Sequence, residues 1–149
     1  MTIRFLRVIP AVLLLACVAA ASSGAQVTSD RLLRADREAQ NWLTYSDTYT
    51  GQRYSTLAKI TPRNVKNLEL AWVLQSHPPA EANAKYEASS LVVNGIMYTV
   101  QPPNVVVALD AATGRIFWTY AYQPSAAARL CCGRVNRGLA ILGNTLFMG

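Results

Sequence analysis

Cys131 and Cys132 stand side by side, and a few residues later comes the run Asn136-Arg137-Gly138. Adjacent thiols have three fates: they stay free, bridge to another molecule, or join each other. The third is geometrically awkward. Disulfides usually hold Cα atoms about 4.4–6.8 Å apart, whereas neighbouring Cα atoms lie about 3.8 Å apart across a trans peptide and about 2.9 Å across a cis one. Such a ring strains its own peptide and closes no loop, so it restricts the unfolded chain little. A rigid, flat, polarizable plate against a planar ring is one role that would justify it. Arg137 offers a planar guanidinium fork, which grips carboxylates in bidentate fashion. Glu87, in Tyr86-Glu87-Ala88-Ser89-Ser90, places an acid just before an apolar run. His77 lies in Ser76-His77-Pro78-Pro79 with no Cys or acid cluster beside it, and reads as a solvated loop residue. Tyr45, Tyr49 and Tyr54 read as packing and strand residues rather than catalytic ones, Arg134 as solvated, and no Cys-x-x-Cys-His haem attachment occurs.

These residues belong to a chain of 149, which allows one ordinary domain. It is 52% hydrophobic, too apolar for a disordered tail. Much of that excess lies in the first 25 residues. Met1–Arg7 is basic, residues 8–21 are apolar but for Pro10 and Cys17, and small residues follow to Ala25. This three-part pattern is that of a secretory signal with a cleavage site at Ser23-Gly24-Ala25. The apolar stretch is short of the roughly 20 residues that span a bilayer. Leu14-Leu15-Ala16-Cys17 is the rival within it, a bacterial lipoprotein box that would anchor the chain through Cys17. Export implies a periplasmic, oxidising location. The 14 Lys and Arg exceed the 8 Asp and Glu without forming a run, so nothing favours nucleic acid as a partner.

The elements that must position the site begin with short helices. Residues 28–41 carry Leu32 and Leu33 among charges, with Ser29 or Asp30 as cap. Residues 60–68 predict a second brief helix, capped by Thr61 with Pro62 in the first helical position. Strands are then expected at residues 68–76 around Trp72, at 90–99 as a hairpin turning on Asn94-Gly95, at 105–109, at 115–120, and at 139–148 as a hairpin around Gly143-Asn144. The two hairpins align at an offset of 49 residues. That period with four strands per unit predicts a β-propeller, a β-sandwich being the alternative.

Between the hairpins runs Ala108-Leu109-Asp110-Ala111-Ala112-Thr113-Gly114-Arg115-Ile116-Phe117-Trp118. Asp110 can accept hydrogen bonds inside a turn made by Thr113 and Gly114, glycine tolerating positive φ. Trp118 can lie flat between this unit and the next, its indole N–H finding a backbone partner. Ala-x-Asp-x-x-Thr-Gly-x-x-x-Trp resembles the tryptophan-docking motif of quinoprotein dehydrogenases, eight-bladed propellers that bind pyrroloquinoline quinone (PQQ). Trp42, Gly51-Gln52-Arg53-Tyr54-Ser55, Leu57, Ile60, Asn64-Val65, Leu68 and Trp72 are similar to that family's lead-in, and Cys131-Cys132-Gly133-Arg134-Val135-Asn136-Arg137-Gly138 to its cofactor segment. The resemblance is to the alcohol (methanol/ethanol) dehydrogenase branch.

The resemblance implies an all-β fold: a signal peptide at residues 1–25, a lead-in with short helices at 26–67, and the first one to two propeller blades at 68–149. It implies a Cys131–Cys132 disulfide on which PQQ stacks, Arg137 on the cofactor's carboxylates, and Glu87 reaching the cofactor, although Ala88-Ser89 replaces the family's usual Thr-Pro after that acid. Asp110, Thr113, Gly114 and Trp118 are implied as structural docking residues. Oxidation of a small alcohol, Ca²⁺ or a lanthanide in the full-length protein, and a cytochrome c or quinone acceptor follow from the same resemblance. The next docking motif is due near position 157, so the chain is expected to be an N-terminal portion without dehydrogenase activity of its own, and only partly ordered or aggregating in isolation. The reading from another class is a non-catalytic propeller scaffold of the outer-membrane assembly kind.

Overall fold

The computed structural model describes residues 27–75, 85–125, 127–128 and 135–149. The expectations for the signal segment, Cys17, His77, Cys131, Cys132 and Arg134 lie outside the described residues.

The chain enters through α1 (Ser29–Leu33), capped by Thr28, whose side chain accepts from the Arg31 N–H. Ser29 and Asp30, the expected caps, instead form the first turn, where Asp30 pairs with Arg34 one turn on. The helix is shorter than residues 28–41 suggested. It gives way to a 3₁₀ turn, Ala35–Arg37, that buries Ala35. The second expected helix is a single 3₁₀ turn, Val65–Asn67. Thr61 does not cap it with its side chain: the Thr61 hydroxyl and N–H both donate to Asn64 Oδ1, at 3.1 and 2.7 Å.

Strands β1 (Leu91–Val93), β2 (Ile96–Gln101), β3 (Val105–Asp110) and β4 (Ile116–Ala121) form one antiparallel sheet in chain order. β5 (Leu139–Leu142) and β6 (Thr145–Met148) form a separate hairpin. The β1–β2 turn has Asn94 at φ 50° and Gly95 at φ 82°, the left-handed pair that suits the twist of a two-residue hairpin. Leu91 faces Tyr98 and Val93 faces Ile96 in the first hairpin; Ala140 faces Phe147 and Leu142 faces Thr145 in the second. Each partner is shifted by the same 49 residues, so the sequence repeat is also a repeat of register.

Residues 68–75 form no strand, contrary to expectation. A strand needs a ladder, and among the described residues this segment has none; Leu70 and Val73 are exposed. The core lies between the sheet, the second hairpin and the lead-in, built from Val27, Leu43, Leu91, Val93, Val100, Val106, Leu139 and Ile141. β3 is buried along its centre, as a strand covered on both faces must be. β4 is exposed throughout. Two isolated bridges tie the lead-in down: Val27 exchanges backbone hydrogen bonds with Gly143, and Trp42 with Val92.

Candidate functional site

The two halves of the site meet where Ser89 bridges Gly138 in parallel. These residues are 49 positions apart, hence equivalent in the two repeats. A parallel contact between equivalent positions is what rotation of one unit onto the next about a common axis produces. Gly138 has φ 130°, and a Cβ there would come within 3.1 Å of the Ser89 carbonyl oxygen. The glycine is therefore needed twice, for its backbone angle and for the close crossing.

That crossing sets Glu87 beside Arg137, with Nε 3.5 Å from Oε2. The pair is long and open to solvent, the arginine side chain being 76% exposed. Such a pair adds little stability and leaves guanidinium donors directed outward. Arg137 lines a recess of about 630 Å³ with Tyr45, Asn136 and Gly138. Asn136 is buried and anchors the loop: its Oδ1 accepts from Gly138 N–H at 2.9 Å, and its Nδ2 donates to the Gly149 carbonyl at 3.0 Å and to Asn104 Oδ1 at 3.3 Å. Asn136 had no role legible in the sequence beyond its place in the Asn136-Arg137-Gly138 run, because its bond to Asn104 spans 32 residues.

Tyr45, expected as a packing or strand residue, lies in no strand and is 42% exposed. The Arg53 guanidinium lies 4.6 Å over its ring centroid. Hydrogen bonding and charge from Arg53 hold the phenol below its ordinary pKa, with the Ser89 hydroxyl and the Arg137 charge adding, against some desolvation.

The docking turn forms as expected. Asp110 Oδ1 accepts from the N–H groups of Ala112 and Thr113, both at 2.9 Å, and these bonds, that from Thr113 foremost, lower its pKa. Gly114 N–H closes the turn on the Asp110 carbonyl at 2.9 Å, with Gly114 at φ 72°. Between Ala108 and Leu109 the register shifts: Trp118 faces Ala108 and Ile116 faces Leu109, so Phe117 is the extra residue of a bulge. Trp118 lines an apolar cleft of about 390 Å³ with Val106, Tyr120, Leu139, Leu146 and Met148, between the sheet and the second hairpin, and tilts 45° against Tyr98. Its indole N–H finds no backbone partner among the described residues, a departure from expectation. It is instead Trp72 whose Nε1 donates to the Ala111 carbonyl of this turn, at 3.2 Å, with its ring against Gly114.

A four-stranded antiparallel unit followed 49 residues on by the hairpin of a second, with a tryptophan seated on the β3–β4 turn of the first, is the pattern of a β-propeller of the docking-motif class. The family model "Glucose/ethanol/alcohol dehydrogenase, beta-propeller domain", a PQQ domain, matches residues 42–145. The chain belongs to this PQQ-dependent alcohol dehydrogenase family. It is 38% identical, over 136 residues, to the dehydrogenase subunit of the quinone alcohol dehydrogenase of Gluconacetobacter polyoxogenes, covering 90% of this chain and 18% of that protein. The solved quinohemoprotein alcohol dehydrogenase ADHIIG of Pseudomonas putida HK5 is 40% identical and superposes with a TM-score of 0.75 over 84% of this chain and 18% of its own. A europium-containing methanol dehydrogenase is 35% identical, with a TM-score of 0.67 over 80% of this chain and 21% of its own. This chain thus spans about a fifth of the length of the relatives it matches.

Among the described residues, the exposed Arg137 guanidinium at this recess is of the chemical type that can grip one carboxylate of a quinone ring. Among the described residues, no group of three or more His, Cys, Asp or Glu could hold a metal ion.

Proposed function

We propose that this chain supplies the opening blade and one wall of the cofactor site of a PQQ-dependent dehydrogenase that oxidises primary alcohols. The observation that carries this reading is the Ser89–Gly138 crossing, which sets Glu87 of one repeat beside Arg137 of the next, at the edge of the recess that Arg137 lines. Arg137 binds a carboxylate of the quinone, Glu87 orients the guanidinium through the pair it already makes, and Gly138 keeps the crossing narrow. The quinone, when bound, supplies the acceptor for hydride from the alcohol, polarised by a Ca²⁺ or lanthanide ion. By family resemblance, Cys131 and Cys132 form the disulfide on which the ring rests. The docking turn of Asp110, Thr113 and Gly114 keeps the blade in register with its neighbours, and Trp118 fills the cleft toward the second unit.

The chain alone is expected to be inactive as a dehydrogenase. Export to the periplasm through residues 1–25, with a lipid anchor at Cys17 as the rival, and electron transfer to a cytochrome c or quinone complete the proposal. A non-catalytic scaffold is not favoured, since the relatives above are named as dehydrogenases. The test is dye-linked alcohol oxidation by the full reading frame that carries this chain, reconstituted with PQQ and Ca²⁺ or a lanthanide. Turnover of a primary alcohol that depends on both additions is expected. A folded product that gains no activity from them overturns the proposal.

A further inference from the structure

One side-chain assembly beside the Glu87–Arg137 pair has no part in the function proposed above. Arg53 stacks on Tyr45 from outside the recess, and its own backbone sits at φ 53°, a left-handed conformation that a non-glycine residue rarely adopts. Strain of this kind persists where surrounding contacts over-determine it. Here the contacts are specific: Arg53 Nε also donates to Ser46 Oγ at 3.4 Å, while its guanidinium carbon sits 4.6 Å over the tyrosine ring centroid. On its other side Tyr45 reaches the site. Its ring edge lies 4.0 Å from where a Cβ would stand on Gly138, next to Arg137, and it shares the recess that Arg137 lines. Arg53 thus covers a ring that lines the same recess as Gly138 and Arg137.

We infer that Tyr45, clamped by Arg53, is a positioning residue of the cofactor site: its ring braces the Ser89–Gly138 crossing and so fixes where Arg137 points. The inference rests on the PQQ reading given above. Two observations favour it over mere packing. Tyr45 is 42% exposed, so it is a poor core residue, yet Arg53 covers its ring and it lines the recess beside Arg137. Its phenol also feels Ser89 and Arg137, the residues whose geometry it would set.

A positioning residue that acts through Arg137 loses its effect once Arg137 is gone, whereas a generally stabilising residue does not. The test uses the full reading frame, stripped of cofactor, with PQQ affinity read from the quinone's absorbance in excess Ca²⁺. Tyr45→Ala and Arg53→Met are each measured alone and in an Arg137→Gln background, alongside the apoprotein melting temperature. Loss of one oriented hydrogen bond corresponds to roughly a two- to tenfold weakening. Each single variant should weaken PQQ by about that factor, and neither should weaken it further in the Arg137→Gln background. Arg53→Lys, which keeps the charge but not the planar fork, should remain impaired. If Tyr45→Ala does not fold, Arg53→Met leaves the tyrosine in place and decides alone. Unchanged affinity in the folded variants, or equal factors with and without Arg137, overturns the inference while leaving the PQQ reading intact. A parent protein that binds no PQQ, or an Arg137→Gln protein that binds as the parent does, overturns the PQQ reading instead.

Discussion

The indole of Trp72 lies on Gly114 so closely that a Cβ at that glycine would come within 2.7 Å of the ring, while its Nε1 donates to the Ala111 carbonyl. Asp110 and Thr113 shape the turn, and Gly114 leaves it flat enough for a tryptophan from 42 residues earlier to seat there. The docking turn is therefore a receptor as well as a corner. Gly114→Ala both forces alanine into a left-handed backbone and drives its methyl into the ring. We predict a loss of about 2–4 kcal/mol of stability in the full reading frame. Trp72→Ala in the Gly114→Ala background removes the clash, so denaturant unfolding of the two single variants and the double should show strongly less than additive losses. Additive losses would mean that Trp72 does not sit on the turn.

Gly138 carries the same logic at the site. Gly138→Ala places a methyl 3.1 Å from the Ser89 carbonyl at a φ of 130°. The crossing must widen, and Glu87 and Arg137 separate with it. PQQ titration should show weakening of about tenfold or more, since a positioned, charge-assisted contact is worth roughly 1.5–3 kcal/mol. Retained affinity would show that the crossing does not set the site.

Asn136 should matter more for folding than its surface loop suggests. It is buried and satisfies Gly138 N–H, the Gly149 carbonyl and Asn104 together. Asn136→Ala strands those groups, at a cost of about 1–3 kcal/mol. Equilibrium unfolding of the variant checks this; a change below a few tenths of a kcal/mol would place the hydrogen bonds in solvent.

Acid should loosen the lead-in through Glu38. The Arg31 hydrogen bond holds its carboxyl below the ordinary value, with Asn41 and the Arg31 charge adding, against desolvation. The Arg31 guanidinium also reaches Asn94 Oδ1 at 3.1 Å, so this pair fastens α1 to the first hairpin turn. A depressed carboxylate contributes fully above its unfolded value of roughly 4.3 and loses that contribution as pH falls through the lower folded value. The stability advantage of the parent over Glu38→Gln should therefore be present at neutral pH and shrink between about pH 5 and pH 3. A gap that does not vary with pH would remove Glu38 from the account.

Both hairpins were legible because their two-residue turns carry Asn and Gly, with left-handed backbone at Asn94 and Gly95 in the first and at Gly143 in the second, and the 49-residue offset survives as identical register. Asp110, Thr113 and Gly114 were legible as a turn because their bonds are local. Trp72 was misread as the centre of a strand: apolar, β-prone residues do not reveal whether a ladder partner exists. Thr28 is the cap, one position before Ser29 and two before Asp30, a distinction that only backbone angles make. Asn136 and Tyr45 could not be read from spacing, since Asn136 bonds Asn104 across 32 residues and Tyr45 shares its recess with Gly138, 93 residues on.

The most direct measurement is a crystal structure of the full reading frame with PQQ and Ca²⁺ bound. The account predicts a quinone carboxylate within hydrogen-bonding distance of the Arg137 guanidinium, Glu87 still beside it, and the ring lying on the sulfurs of Cys131 and Cys132. A quinone bound far from Arg137, with those sulfurs facing solvent, would contradict it.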